Sequence, residues 1–510
     1  MAEQAVLEEK KTQKKIVIDP VTRLEGHGRI EVFLDDAGNV DRAYLQIPEL
    51  RGFEKFVQGR AAEEMPQITS RICGVCPMAH HMAATKALDA LYKVDPPVAA
   101  KLIRELVYSA FFVEDHALHL FFLGGPDLIM GTDAAAGERN VIGVIQKLGT
   151  DLGKRIIGMR RVLRDCVARV AGKAIHPVFG LPGGVSKPLS QEDRAEFMFA
   201  ASEAVEFGKV ALELFDQAVL HDERYMEMMR SDAFTQRTNY MGMVDTQDRL
   251  NFYDGSLRVV SAEGAEALKF RPSQYLDHIT EHAEPWSFVK FCFLKSMGKA
   301  NAAHSLKQSD GSDIYAVGPL ARLNACESIA TPLAEAARRD FYTRLGGRPV
   351  HHTLATHWAR LIELVYAAER LKELAADERI CAPVVRTLPS VTPSEGIGVV
   401  EAPRGTLFHH YNTDEHGIVT RANLIVATQN NSARMAIGLE KVARALIHGA
   451  DVPESTLNKL EMSLRAYDPC FGCASHSLPG SMPIEVRVQS AAAETVAVLR
   501  RDSDGSVHRA

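Results

Sequence analysis

The sequence DPCFGCASH, residues 468–476, places two cysteines and a histidine close together near the end of a 510-residue chain. Two residues separate Cys470 from Cys473, and His476 follows after two more. Thiolates at this spacing are soft ligands for a transition metal, but two of them supply only half of a four-ligand site. The other half has to come from elsewhere in the chain.

A second cysteine pair lies in RICGVCPMAHH, residues 71–81, where Cys73 and Cys76 precede His80. A structural zinc site usually draws both pairs from within a few tens of residues, whereas these two pairs lie at opposite ends of the chain. Four thiolates brought together by the whole fold suit nickel, zinc or iron. The spacing therefore predicts a soft metal site, and a structural zinc site remains the alternative.

The remaining cysteines are scattered singly, and we interpret them as small buried hydrophobic residues. Eight cysteines in all are too few for a disulfide scaffold, which favours a reducing compartment. They also leave no set for an iron–sulfur cluster beyond the two pairs, and the chain has no GxGxxG dinucleotide loop. Electrons produced here would need a second protein to carry them away.

Composition narrows the class of protein. The chain is 46% hydrophobic and 24% charged with a net charge of -6, which is typical of a soluble globular protein and argues against nucleic-acid binding. No run of about 20 apolar residues predicts a membrane span. The polar N-terminus lacks the apolar core of a secretory signal.

Hydrophobic periodicity predicts an α+β fold that is mainly α, with a central long-helix bundle and flanking β-containing segments. Alternating runs around the DDAGN turn predict strands between residues 15 and 47. Helical spacing dominates from about residue 61 to 170, including a single helix over 143–172, and returns at 331–347, 356–377 and 432–450. Residues 396–430 predict a meander of strands, and no clean linker divides the chain.

Taken together, RICGVC and DPCFGCASH resemble the two signature motifs of the large subunit of nickel–iron hydrogenases. Further segments match that family in the same order, namely VTRLEGHGRIEV, RGFEKFVQGR, DHALH, HPVFGLPGG, GPLAR and EAPRG. The resemblance spans residues 21–483 and implies the hydrogenase large-subunit fold with reversible heterolytic cleavage of H2. The related complex I subunit shares this fold but lacks the four cysteines.

The resemblance also implies a bimetallic centre. Cys73 and Cys470 would bind nickel terminally, while Cys76 and Cys473 would bridge nickel to an iron that carries CO and two cyanides. Glu25 matches the glutamate that the family places beside the second terminal cysteine, where a carboxylate with a pKa raised by burial can carry a proton.

Further residues match family positions around this centre. Arg404 matches the arginine held above the open coordination position, and Asp115 and Asp468 match the carboxylates that flank it. Pro403 would line the cyanide pocket. His80 matches a histidine that hydrogen-bonds a bridging sulfur. We interpret other histidines, His119 among them, as core or surface residues.

A second, hard-metal site is implied by Glu54, His476 and a backbone carbonyl near Leu424, holding Mg2+ or Fe2+ with several waters. Carboxylate, carbonyl and water are the ligands that magnesium prefers.

The resemblance implies partners and processing as well. We expect a small subunit with iron–sulfur clusters, an electron-transfer subunit with a heterodisulfide-reductase-type complex, and maturation proteins with an endopeptidase, in the cytoplasm. The motifs look most like the methyl-viologen-reducing group; a bidirectional NAD-linked hydrogenase and a regulatory H2 sensor are the alternatives. We divide the chain into a disordered polar arm (1–14), the catalytic domain (15–476) and an extension (477–510) removed by cleavage between His476 and Ser477.

Overall fold

The computed structural model describes residues 14–284, 286–295, 297, 306, 309–475, 484–490, 495–501 and 507–509. Within these ranges long helices dominate, and small sheets flank them. The α+β, mainly α, fold predicted from the sequence is confirmed. The polar arm predicted for residues 1–14 lies, except for its last residue, outside the described residues.

The helices, in chain order, are α1 (Phe53–Phe56), α2 (Met65–Thr69), α3 (Pro77–Leu91), α4 (Val98–Leu118), α5 (Gly125–Met130), α6 (Val141–Leu148), α7 (Thr150–Ala171), α8 (Gln191–Phe215), α9 (Glu223–Arg230), α10 (Tyr275–His278), α11 (Pro319–Ala325), α12 (Pro332–Arg344), α13 (Thr356–Ala376), α14 (Ala427–Asn430), α15 (Ser432–Leu446), α16 (Glu454–Arg465) and α17 (Phe471–Ala474).

The strands are β1 (Lys15–Ile18), β2 (Arg29–Leu34), β3 (Val40–Gln46), β4 (Gly180–Leu181), β5 (Gly184–Val185), β6 (Asn239–Val244), β7 (Ser256–Val260), β8 (Glu266–Phe270), β9 (Ile279–Ala283), β10 (Lys290–Leu294), β11 (Tyr315–Ala316), β12 (Glu395–Ala402), β13 (Gly405–Thr413), β14 (Val419–Ile425), β15 (Ile484–Gln489), β16 (Thr495–Arg501) and β17 (Val507–Arg509).

The central bundle is built from α4, α8 and α13, and α7 packs against α4 and α8. Ser190 caps α8 by accepting a hydrogen bond from the Asp193 N–H. Single π-helical turns, His119–Leu123 and Asp216–Leu220, extend α4 and α8. Such turns widen a helix and occur frequently at functional sites, and the first of them lies beside the metal centre described below.

The single helix predicted over residues 143–172 is wrong, because two helices, α6 and α7, occupy this region. They meet at Gly149, whose φ of 94° suits glycine and ends α6. Helix α16, which the apolar pattern did not single out, carries the chain from α15 towards the second cysteine pair.

The sheets follow the predicted alternating segments. Strands β1, β2 and β3 form an antiparallel sheet, and β12, β13 and β14 form a meander. Helix α3 packs against β12 and β13. Gly398 permits this close approach, because a Cβ there would lie 2.1 Å from the Ala83 carbonyl oxygen. The helix that follows the first cysteine pair is thereby fixed on the meander.

One helical stretch, Val98–Leu123, is long and apolar enough to cross a membrane by length and composition, among the described residues. However, 78% of its most apolar window is buried within the protein. It contacts α7 and α13 as the central helix of the bundle, so its apolar character reflects core packing.

The C-terminal extension contains a small antiparallel sheet of order β15-β16-β17. Apolar and charged residues alternate over residues 484–488, and this run falls within β15.

Candidate metal centre

The fold brings the two distant cysteine pairs together. The four sulfur atoms of Cys73, Cys76, Cys470 and Cys473 all lie within 4.8 Å of one another. The sulfurs of Cys73 and Cys470 are 3.5 Å apart, as are those of Cys76 and Cys473, and the sulfurs of Cys470 and Cys473 are in contact. All four side chains are buried, and among the described residues no other group of histidines, cysteines and carboxylates is arranged to hold a metal.

Local structure favours the thiolate form of the Cys73 sulfur. Cys76 is the residue before α3, which begins with Pro77. The backbone N–H groups of Val75 and Cys76 both donate to Cys73 Sγ at 3.2 Å. Hydrogen bonding from Cys76 lowers the pKa of Cys73, against the opposing effect of burial. Donors aimed at sulfur favour its charged form, which is the form that binds metals.

A positively charged side chain faces the sulfurs from a hairpin tip. Strands β12 and β13 pair up to Ala402 and Gly405, so Pro403 and Arg404 form a two-residue turn. The Arg404 side chain is 3% exposed and lines the same small cavity as Cys76, Cys470 and Cys473. The Arg404 guanidinium is thus buried in the wall of the cavity that the sulfurs line.

Two carboxylates compensate the charge of Arg404. Its Nη1 lies 3.2 Å from Asp115 Oδ2, and its Nη2 lies 2.9 Å from Asp468 Oδ2. Burial works against the charged guanidinium, but the two carboxylates outweigh it and raise the pKa of Arg404 above its ordinary value. Burial likewise disfavours the charge on Asp468, yet Arg404 and His119 hold the pKa of Asp468 below its usual range. The arginine and Asp468 are therefore both charged.

A second buried arginine braces the hairpin. Arg322, the last residue of GPLAR, donates to both Glu363 carboxylate oxygens at 2.6 Å and to Glu401 Oε2 at 2.8 Å. It also donates to the carbonyls of Ala402 at 2.8 Å and Pro403 at 3.1 Å. Sequence reasoning noted GPLAR only as a matching segment and missed this role, although an arginine in an apolar segment was a signal of buried pairing.

Glu25 lies beside the second cysteine pair. A β-bridge joins Glu25 to Cys470. The Cys470 Sγ lies 2.9 Å from Glu25 Oε2, to which the Gly472 N–H also donates at 3.0 Å. Burial raises the pKa of Glu25, and Arg51, 3.5 Å from its other oxygen, opposes the rise. The geometry thus permits proton exchange between this carboxylate and a cysteine sulfur.

The residues predicted for a hard-metal site are only partly described. Glu54 Oε1 accepts from the Leu424 N–H at 2.9 Å, and Lys290 Nζ lies 3.9 Å from Glu54 Oε2 and 3.2 Å from Glu281 Oε1. The structure thus brings Glu54 and Leu424 together through the backbone N–H of Leu424. That the Leu424 carbonyl binds a metal stays a prediction. His476 lies outside the described residues.

His80 lines the cavity beside Cys76 and Cys473. Its Nδ1 lies 3.1 Å from His409 Nε2, and His409 Nδ1 lies 2.6 Å from the Tyr411 hydroxyl. Burial lowers the pKa of His80 to about 3, so its ring is neutral. The predicted hydrogen bond from His80 to a bridging sulfur stays a prediction.

A buried cluster of four thiol sulfurs that lines a small cavity is the arrangement expected of a nickel-dependent hydrogenase. The family model for nickel-dependent hydrogenases matches residues 51–151 and 308–476, and a model described as HoxL-like matches residues 15–50. The chain belongs to the nickel-dependent hydrogenase family and is a hydrogenase large subunit.

Individual relatives support this family assignment. The chain is 44% identical to the F420-non-reducing hydrogenase iron-sulfur subunit of Archaeoglobus profundus, over 96% of this chain and 99% of that protein. It is 37% identical to the NAD-reducing hydrogenase HoxS subunit beta of Cupriavidus necator, over 95% and 99%. A crystal structure of an NAD+-reducing [NiFe]-hydrogenase superposes with a TM-score of 0.84 at 37% identity, covering 91% of this chain and all of that one.

Proposed function

We propose that the cavity formed by the four cysteines and Arg404 is where this hydrogenase splits H2, and that the released proton leaves through Glu25. The observation that carries the proposal is the convergence of four buried sulfurs, from opposite ends of the chain, next to one charged guanidinium. Such a donor set fits nickel and iron, because thiolates are soft ligands that suit both metals. A nickel–iron centre supplies, when bound, the electrophilic site at which H2 is polarised; CO and cyanide ligands on the iron belong to this proposal.

The protein's own groups have separate tasks in this proposal. Cys73 and Cys470 would hold the nickel as terminal ligands, and Cys76 and Cys473 would be ligands shared by nickel and iron. Glu25 Oε2 takes a proton from Cys470 Sγ across 2.9 Å. Because burial disfavours the charge on Glu25, its carboxyl can hold that proton transiently and release it.

In this proposal, residues that line the cavity beside the sulfurs orient H2. Arg404 stays charged in the cavity because its two terminal nitrogens form ion pairs with Asp115 and Asp468. A guanidinium does not lose its proton readily, so we assign it to orienting and polarising H2. Pro403 contributes packing at the hairpin tip, and neutral His80 supports the bridging side.

A second metal site is proposed at Glu54, with the carbonyl of Leu424 and His476 as further ligands for Mg2+ or Fe2+. What supports it is the partly buried position of the Glu54 carboxylate next to Leu424. Lys290 pairs with that carboxylate, so metal binding there has to displace or share this contact.

The electrons pass to an iron–sulfur small subunit, because the chain has no cysteine set for a cluster of its own. We propose that the final acceptor is a heterodisulfide-reductase-type complex, reached through a further electron-transfer subunit in the cytoplasm. Relatives named F420-non-reducing hydrogenase at 38–44% identity support this group. The 37% identity to the HoxS subunit favours NAD-linked electron transfer as the second candidate. A regulatory H2 sensor is distinguished from both by its lack of useful turnover.

Purified large and small subunits test the proposal together. We expect H2-dependent reduction of an artificial dye, and nickel in the large subunit. Nickel-loaded protein that neither reduces dye nor exchanges hydrogen isotopes with water would overturn it.

Maturation by cleavage after His476 is also part of the proposal, with maturation proteins delivering the metals before an endopeptidase removes residues 477–510. The extension has strand structure of its own, which fits a segment that folds separately from the catalytic domain. Intact mass of the nickel-loaded, active protein checks it: a chain ending at His476 is expected, and a mass that includes Ala510 would contradict cleavage.

A further inference from the structure

Two buried histidines, His119 and His357, adjoin the Arg404–Asp468 ion pair. His119 Nδ1 lies 3.0 Å from Asp468 Oδ1, and His119 Nε2 lies 3.2 Å from His357 Nδ1. The two rings are stacked, with centroids 5.3 Å apart and planes 16° from parallel. The groups Arg404, Asp468, His119 and His357 thus form one continuous chain of polar contacts.

The protonation of this chain follows from its chemistry. The Asp468 side chain lies between Arg404 Nη2 and His119 Nδ1, and beside a carboxylate that pairs with an arginine the ring nitrogen is the donor, so we place the His119 proton on Nδ1. Burial lowers the pKa of His119 to about 4, so its ring is neutral and Nε2 keeps a lone pair. The His357 ring is also kept neutral, because burial lowers its pKa, and its Nδ1–H donates to that lone pair. Each ring therefore fixes the tautomer of the next.

Asp468 has an uncommon backbone conformation and is held at both carboxylate oxygens. Its φ is 54°, in the left-handed region that residues with a side chain rarely adopt. Arg404 holds one carboxylate oxygen, and His119 holds the other. Without the His119 contact, Arg404 is the remaining partner of this carboxylate among the contacts described here, so the Asp468 end of the guanidinium is less closely fixed.

Local helix geometry places His119 where it can make this contact. It is the first residue of the π-helical turn that extends α4, and it follows Asp115 by one turn. Asp115 and His119 thus reach the two ends of the same Arg404–Asp468 pair from one helix. His357 lies in the first turn of α13, so the chain of contacts also ties α13 to the centre.

We propose that His119 and His357 are positioning residues of this hydrogenase: His357 fixes the tautomer of His119, and His119 fixes Asp468, and through it the Arg404 guanidinium, for H2 activation. This inference rests on the proposed role of Arg404. The charged groups facing His119 are Arg360, Asp468 and Arg404, and those facing His357 are Arg360, Asp468 and Arg465. Arg360, from α13, adds positive charge near Asp468.

The test compares His119→Leu with His119→Asn in the complex with the small subunit. Leucine removes the donor to Asp468, whereas the asparagine amide places an N–H close to the Nδ1 position. We expect the kcat for H2 uptake to fall about tenfold or more in His119→Leu with KM for H2 changed less than about twofold, because the loss is one of orientation. His119→Asn should recover to within about threefold of the wild-type kcat.

Three further variants complete the experiment. His357→Leu should lower kcat about threefold, since the tautomer of His119 is then unsupported. His352→Leu removes a histidine contact with Thr235, outside the polar chain, and should leave kcat unchanged. If His119→Leu fails to take up nickel, His119→Gln, whose amide points to the Nε2 position, replaces it and should remain slower than His119→Asn.

Two results would overturn the inference. The first is a wild-type kcat in nickel-loaded His119→Leu. The second is a kcat of His119→Asn that equals that of His119→Leu or, where glutamine replaces leucine, that of His119→Gln. Arg404→Lys separates the inference from its premise. A slow Arg404→Lys together with an active His119→Leu rejects the histidine role alone, while wild-type activity in both variants rejects the role of Arg404 as well.

Discussion

Replacing Glu25 with glutamine should separate proton transfer from metal binding. Glutamine keeps the size of the side chain and can still accept from the Gly472 N–H, but it cannot take a proton from Cys470 Sγ, 2.9 Å away. A positioned general acid or base contributes about 10²- to 10⁴-fold to a rate. We therefore expect hydrogen–deuterium exchange with water to fall by about that factor.

The cost to stability should be small. The Gly472 contact changes from a charged to a neutral hydrogen bond, a loss of about 1 kcal/mol. The partly exposed Arg51 pair contributes about 1 kcal/mol or less. In the opposite direction, burial raises the pKa of Glu25, so its charged form costs stability at pH values above that pKa, and the neutral glutamine avoids this cost. Folding and nickel content should therefore survive.

The assay measures isotope exchange and H2-dependent dye reduction on samples of equal nickel content. Glu49→Gln is the matched control, because Glu49 is a neighbouring carboxylate that pairs with His27 at the surface; its exchange rate should stay within about twofold of wild type. Wild-type exchange in nickel-loaded Glu25→Gln would remove Glu25 from the proton pathway.

Three other changes have definite expected outcomes. Cys473→Ser should abolish H2 uptake and most iron and nickel retention, since a serine hydroxyl is a harder and far less acidic donor; full activity with both metals present would refute the bridging role. Arg404→Lys should keep the metals but lower kcat by about 10²-fold, because an ammonium group lacks the planar guanidinium geometry that pairs with two carboxylates at once. Steady-state kinetics at equal nickel content test this. Glu363→Gln should destabilise the fold by about 3 kcal/mol, because Arg322 is fully buried and loses its bidentate partner. Thermal unfolding measures this loss, and the surface variant Glu206→Gln should show no change. Equal melting temperatures for the two variants would contradict the stabilising role of the Arg322–Glu363 pair.

Much of the centre was predictable because its chemistry is local in sequence. Each cysteine pair lies within one short motif, and the sulfurs meet as predicted. Arg404, Asp115 and Asp468, identified by resemblance, lie together. What they do in catalysis remains a prediction for the experiments above.

The supporting contacts were not predictable, because they join segments far apart in sequence. His119 lies in an apolar helix, where a core residue and a partner of Asp468 give the same pattern. Arg322 reaches Glu363 and Glu401 only after α11, α13 and β12 have packed. The helix break at Gly149 was hidden because the apolar spacing continues on both sides of it.

Metal identity tests the central claim most directly. Metal quantification of the purified large subunit, with X-ray absorption at the nickel edge, reports which metal the four cysteines hold. We predict nickel and iron in equal amounts, with the nickel surrounded by sulfur and the nickel signal lost in Cys76→Ser. Zinc bound in place of nickel, with no iron beside it, would contradict the account and indicate a structural site.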